Sequence, residues 1–319
     1  MTITQSASAP LVAVVGATGV QGGSVIKALS ESDKAYRIRG FTRDPTKAAA
    51  EILKKRGVQI VAINLVLENK EEIFKAFAGA DYAFLCTNFW EHGDGEKELS
   101  EGKMLVDAAK AAGVKGAIWS GLPAVKKISA GKYSRVAHFD RKALVAEYGR
   151  ASGIPFVEVQ AGFYATNLLG NFPLLAKEPD GTYALAWPVR PSTVMPVIDM
   201  EHDFGLYIRR VLEVPVFPDG SVVCTTGEDI TVPEMARQLS QVTGKQVVFK
   251  QVSAEEAENN FVAFGYPSAA AGDIVQGMLF FDEFGYYGGQ ATASREGLAR
   301  PTRTFTEFAK DADWSKTLV

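Results

Sequence analysis

Leu11-Val12-Ala13-Val14-Val15-Gly16-Ala17-Thr18-Gly19-Val20-Gln21-Gly22-Gly23 decides the fold. Its first five residues are apolar and valine-rich, and read as a buried strand. Glycine then recurs at every third position, Gly16, Gly19 and Gly22, before a helical pattern, Ser24-Val25-Ile26-Lys27-Ala28-Leu29. Glycine lets a backbone turn tightly and approach a ligand, while unpaired N–H groups at a helix start attract anions. Strand, glycine turn and helix N-terminus in this order form a cradle for a dinucleotide pyrophosphate. A merely structural turn is the alternative, and the flanking strand and helix weigh against it.

Outward from this stretch, strand-like runs alternate with amphipathic helices as far as Phe156–Gln160. That alternation predicts a Rossmann-type doubly wound parallel sheet with helices on both faces. After Gly162 the pattern breaks into segments punctuated by Pro173, Pro179, Pro188, Pro191 and Pro196. We therefore assign residues 11–162 to a nucleotide-binding domain, with a return segment at about 196–228. Residues 163–195 and 229–319 form a smaller α/β C-terminal lobe for a substrate or partner. Met1–Pro10, small and polar, reads as a disordered leader.

Composition narrows the functional classes. A net charge of −3, with no block of like charges, leaves no footprint for direct nucleic-acid binding. No apolar run is long enough for a membrane span. Cys86 and Cys224 sit in apolar runs and read as buried thiols of a reducing compartment, cytoplasmic or nucleocytoplasmic. Asp199-Met200-Glu201-His202-Asp203 looks metal-like, but Asp199 as a helix cap with acids in the first turn is the plainer reading, so no metal is expected. Phe280, Phe281, Phe284, Tyr286 and Tyr287 read as packing, with a partner surface as the alternative.

The second strand selects the nucleotide. It ends in Arg43-Asp44-Pro45-Thr46-Lys47, where an acid would bind the free ribose of NAD and a base the 2′-phosphate of NADP. Arg43 offers paired donors in a plane, which suits a phosphate. We read Asp44 as the cap of a helix beginning at Pro45, and the cofactor as NADP. Lys47, one turn on, either supports the phosphate or is a solvated helix lysine.

The glycine loop, the Arg43/Lys47 pair, Thr87-Asn88-Phe89-Trp90-Glu91, Trp119-Ser120-Gly121-Leu122 and Ala137-His138-Phe139-Asp140-Arg141-Lys142 occur in that order. Together they resemble the NmrA-like family of atypical short-chain dehydrogenases/reductases, nearest its NADP(H)-sensing members, over about residues 10–285. The resemblance implies a Rossmann lobe and a small lobe framing a cleft. It implies that Gly16, Thr18, Gly19, Gln21 and Gly22 hold the phosphates, and that Thr87, Asn88 and Phe89 wall the cofactor. Lys142 would reach the nicotinamide ribose, with Tyr164, Thr166 and Asn167 beside the nicotinamide. Two positions depart from the family pattern. Asn64-Leu65 replaces the usual acid after the third strand, and Ser100 replaces a lysine in the helix after the fourth, with Lys103 one turn away.

Ordinary short-chain dehydrogenases pair a tyrosine with a lysine four residues later. Here His138 stands in the tyrosine position before Lys142, and on a helix the two share a face. Ser120 stands where a substrate-polarising hydroxyl is often found. His138 is either a proton donor or a structural hydrogen-bonding residue. Two functions follow: a redox sensor of the NADP(H) pool acting through a regulatory protein partner, which the resemblance favours, or an NADPH-dependent reductase of a small carbonyl, enone or quinone in the inter-lobe cleft.

Overall fold

The computed structural model describes residues 3–170 and 172–319. Strands and helices alternate first: β1 (Leu11–Val14), α1 (Val20–Ser30), β2 (Arg37–Thr42), α2 (Ala48–Lys55), β3 (Gln59–Ala62), α3 (Lys70–Phe77), β4 (Tyr82–Leu85), α4 (Gly95–Ala111), β5 (Gly116–Gly121), α5 (Val125–Ile128), α6 (Ala137–Ala151) and β6 (Phe156–Gln160). The pattern then loosens. There follow β7 (Phe163–Tyr164), β8 (Ala176–Lys177), β9 (Tyr183–Trp187), β10 (Val194–Ile198), α7 (Gly205–Glu213), β11 (Val222–Cys224), β12 (Glu228–Thr231), α8 (Val232–Thr243), β13 (Val247–Gln251), α9 (Ala254–Phe264), α10 (Ser268–Phe284) and α11 (Phe305–Asp311).

Seven strands make one parallel sheet in the order β3-β2-β1-β4-β5-β6-β11. Its strands are apolar on both faces because helices cover both. On one face Val12, Val14, Phe84 and Val159 pack with Val25 and Ile26 of α1 and Tyr207 and Ile208 of α7. On the other, Ala13, Val15, Leu85 and Trp119 pack with Phe77, Met104, Leu105 and Val145. α7 approaches α1 so closely that a Cβ on Gly205 would lie 2.0 Å from the Ser24 carbonyl oxygen. Only glycine fits there. Strand order reverses between β1 and β4, and the crevice beyond their C-terminal ends is where ligands bind in such sheets.

The return segment contributes α7 and β11 to this domain, while β10 belongs to a small sheet, β12-β10-β7. A third sheet, β13-β9-β8, completes the smaller lobe, whose core gathers Trp187, Met195, Phe261, Val275, Phe280 and Phe305. The leader expectation differs from what is observed over residues 3–10. Ile3 bridges Tyr36 in parallel, the Thr4 amide donates to the Tyr36 carbonyl at 2.9 Å, and Ala9 is buried. The free backbone edge near the start of β2 gives this polar segment hydrogen-bond partners that its composition does not announce. Met1 and Thr2 lie outside the described residues.

Candidate functional site

At the end of β1 the chain turns at Gly16, whose φ of +65° is left-handed backbone that favours glycine. A Cβ on Gly22 would lie 2.3 Å from the Gly16 carbonyl oxygen, so the turn closes on itself only because both are glycine. Gly19 is the N-cap of α1, and among the described residues no side chain caps that helix start. Thr18 Oγ1 and Thr42 Oγ1, 3.1 Å apart, tie the turn to β2. A cleft of about 570 Å³ lies before this uncapped N-terminus, lined by Gly16, Thr18, Gly19, Gln21, Gly22, Arg43, Lys47, Thr87 and Asn88. Exposed helix amides with no competing side chain are the donors a pyrophosphate needs, so these residues fit a dinucleotide.

Around the far end of that cleft the details differ from expectation. Arg43 is ion-paired with Glu91, on the turn after β4. Asp44 does not cap α2, which begins only at Ala48. Instead, its Oδ1 accepts from the Thr46 amide at 2.9 Å, and the Thr46 bonds hold its carboxyl below the usual carboxylate range. Lys97 lines the cleft, whereas Lys103 lies over the Tyr148 ring, 5.4 Å from its centroid. Asn64 and Leu65 also line the cleft, beside His92 and Glu101. His92 has Nε2 3.6 Å from Glu101 and accepts the Asp94 amide on Nδ1.

A second cavity, about 340 Å³, shares Gln21, Thr87, Asn88 and Tyr164 with the first. Gln21 Nε2 donates to the Tyr164 hydroxyl at this junction. Burial pushes the Tyr164 phenol up to about 12, and the Cys86 thiol, which lines the first cleft, up to about 11. The cavity walls are aromatic and aliphatic, with Phe89, Trp90, Phe139, Phe172, Trp187 and Phe281 among them. Its polar groups are few: Asn88, Ser120, His138, Lys142 and Asn167 join the shared residues. Thr166 lines neither cleft and lies in a short turn, Ala165–Leu168.

α6 starts at Ala137, so His138 and Lys142 stand on one helix. Lys142 Nζ donates to the Thr87 carbonyl and hydroxyl, each at 2.9 Å, and to Glu98 Oε1 at 2.8 Å. All three ammonium protons are therefore committed. Glu98 is fully buried, and its Oε2 has no hydrogen-bond partner among the described residues. His138 packs against Trp90, ring centroids 5.0 Å apart, and its Nδ1 meets Asp273 of α10. Sequence reading missed Glu98, Asp273 and Lys97. Each looks like an ordinary helix residue until the fold brings it to the cleft.

Of the remaining sequence candidates, part of the late aromatic run reaches the site. Asp199 accepts the His202 amide as a cap and pairs with Arg303 at 3.0 Å. Of the late aromatic run, Phe281 and Tyr286 line the cavity, while Phe280 is fully buried in the lobe core.

A family model described as the NmrA-like family matches residues 8–309. An NmrA-like family domain-containing protein of Dictyostelium discoideum is 27% identical over 312 residues, 95% of this chain and 98% of that protein. The NmrA-like family domain-containing oxidoreductase ptmS of Penicillium ochrochloron is 31% identical over 260 residues, 76% of each chain. Among solved structures, NmrA, a negative transcriptional regulator, superposes with a TM-score of 0.78 at 23% identity as its NAD complex, covering 96% of this chain and 99% of that one. Its NADP complex gives 0.77 at 24%, covering 95% of each. With the family model matching nearly its whole length, the chain belongs to the NmrA-like family.

Proposed function

We propose that the chain binds NADPH along the two joined clefts and reduces a flat, mostly apolar carbonyl, enone or quinone in the aromatic cavity. The observation that carries this reading is the junction itself: the cavity opens onto Gln21, Thr87, Asn88 and Tyr164, which also end the phosphate cleft. A cavity of this size, with aromatic walls and a few convergent polar groups, suits a small organic ligand. NADPH supplies the hydride. The glycine turn holds the phosphates, Arg43, Lys47 and Lys97 face the adenosine end, and Lys142 anchors Thr87 at the junction. The aromatic walls exclude water and orient the acceptor. His138 delivers a proton to the acceptor oxygen from its ring edge.

The relative ptmS is named an oxidoreductase, which agrees with this reading. One observation favours the alternative, a redox sensor that signals through a protein partner in the cytoplasm or nucleus: Lys142 is committed to Glu98 and Thr87. Among the described residues no helix is long and apolar enough to cross a membrane. The test is NADPH oxidation by the purified protein against flat aromatic ketones, enones and quinones beside small hydrophilic aldehydes. Turnover confined to the flat apolar set is expected. Binding of NADPH with turnover of none returns the sensor reading.

A further inference from the structure

We propose that Asp273 is a positioning residue that fixes, from the opposite lobe, which ring nitrogen of His138 faces the cavity. The consequence for turnover rests on the reductase reading above; the consequence for the ring does not.

α6 begins without a capping side chain, because its N-cap is Val136. Its first amides need an acceptor. Asp273, on α10 of the smaller lobe and 4% exposed, provides one: Oδ2 accepts the His138 backbone N–H at 3.2 Å. Oδ1 of the same carboxylate meets His138 Nδ1. An ionised carboxylate only accepts, so Nδ1 carries a proton and Nε2 is left as the ring atom for a cavity ligand. Trp90 and Phe139, at ring-centroid distances of 5.0 and 4.7 Å, pack the imidazole in that orientation.

During reduction the acceptor carbon gains the hydride, the acceptor oxygen takes the Nε2 proton, and the Nδ1 proton stays on Asp273's side. The neutral ring then regains its proton from solvent. A donor of this kind must be protonated on both nitrogens at the moment of transfer, and a carboxylate beside Nδ1 stabilises that imidazolium.

A simple capping role is separable from this one by Asp273→Asn. The backbone N–H of His138 requires an acceptor, so it claims the amide oxygen and the cap persists. The amide NH2 then faces Nδ1 and donates to it, which moves the ring proton to Nε2. The chain has 3 histidines, so a ¹⁵N imidazole spectrum is readily assigned with His138→Gln as the reference. Expected are Nδ1 protonation in wild type, Nε2 protonation in Asp273→Asn, and an unchanged unfolding midpoint and NADPH affinity. kcat should fall by roughly ten- to ten-thousandfold with KM little altered, as when a histidine is left in the wrong tautomer. A wild-type ring protonated only on Nε2 overturns the proposal without recourse to any variant. So does an Asp273→Asn protein with unchanged ring protonation or unchanged kcat. If wild type reduces no acceptor, the reductase reading fails, and the spectra alone still decide what Asp273 does to His138.

Discussion

Arg43, after β2, and Glu91, after β4, are ion-paired across the outer end of the cleft before α1. The guanidinium is thereby held beside the cleft, paired with a carboxylate that a 2′-phosphate would have to displace. Both side chains are substantially exposed, so the pair itself is weak. A charge-assisted contact to a phosphate is worth about 1.5–3 kcal/mol, roughly ten- to a hundredfold in affinity. Arg43→Ala should weaken NADPH by that factor and leave NADH nearly unchanged, by calorimetry. Equal wild-type affinity for the two nucleotides would remove NADP from the account.

The glycine turn makes a paired prediction. Gly19 has extended backbone, and a Cβ there would sit 3.3 Å from the Gly16 carbonyl oxygen, tight but tolerable. Gly19→Val should therefore keep the fold and lose cofactor binding, because its branches occupy the mouth of the cradle. A Cβ on Gly22 would meet backbone at 2.3 Å, so Gly22→Ala should also lower the unfolding midpoint. Thermal melts beside NADPH titrations separate the two. Tight binding by Gly19→Val would reduce the loop to a turn.

Glu98 is fully buried, with Lys142 as its counter-ion. Removing one partner of a buried pair leaves an uncompensated charge, at a cost of about 3–5 kcal/mol. Lys142→Met should therefore destabilise the fold by that order in urea unfolding, and Glu98→Gln added to it should restore much of the loss. Loss of cofactor affinity in Lys142→Met is informative only beside that double variant. A stable Lys142→Met protein would mean that the pair contributes nothing to folding.

Glu158 on β6 offers a pH test. Burial holds its carboxyl above the usual range despite Arg150 at 2.8 Å and a bond from Gln160. Its folded pKa exceeds its unfolded one, so the stability it contributes is full at pH below the ordinary carboxylate value. That contribution is lost as pH rises through the raised value. Glu158→Gln should flatten the stability profile across that window. An unchanged slope would show that Glu158 is ionised at no cost.

The parallel domain was legible in the sequence because its signals are local. Val12 and Val14 alternate with Ala13 and Val15 between the sheet's two faces, and the glycine spacing is tied to the turn it makes. The smaller lobe was legible as an α/β unit, but the pairing of its short strands was not. β7 and β8 are two residues each, and β9 and β10 are held by partners distant in sequence. Site residues divide in the same way. Gln21, Thr87 and His138 sit in motifs, whereas Asp273 reaches His138 from 135 positions away. Asp44 illustrates a local rule overridden: Thr46 satisfies its carboxylate two residues on, before the helix begins.

In the reductase reading the aromatic cavity is a reaction chamber in which His138 acts on an acceptor. Its most direct test is the rate of NADPH oxidation by wild type and His138→Ala with the best flat apolar acceptor, both saturated with cofactor. Expected is acceptor-dependent turnover that falls by roughly 10²–10⁴ in the variant, while NADPH affinity stays nearly the same. Tight NADPH binding by both proteins, with no oxidation above the uncatalysed background in either, would contradict it.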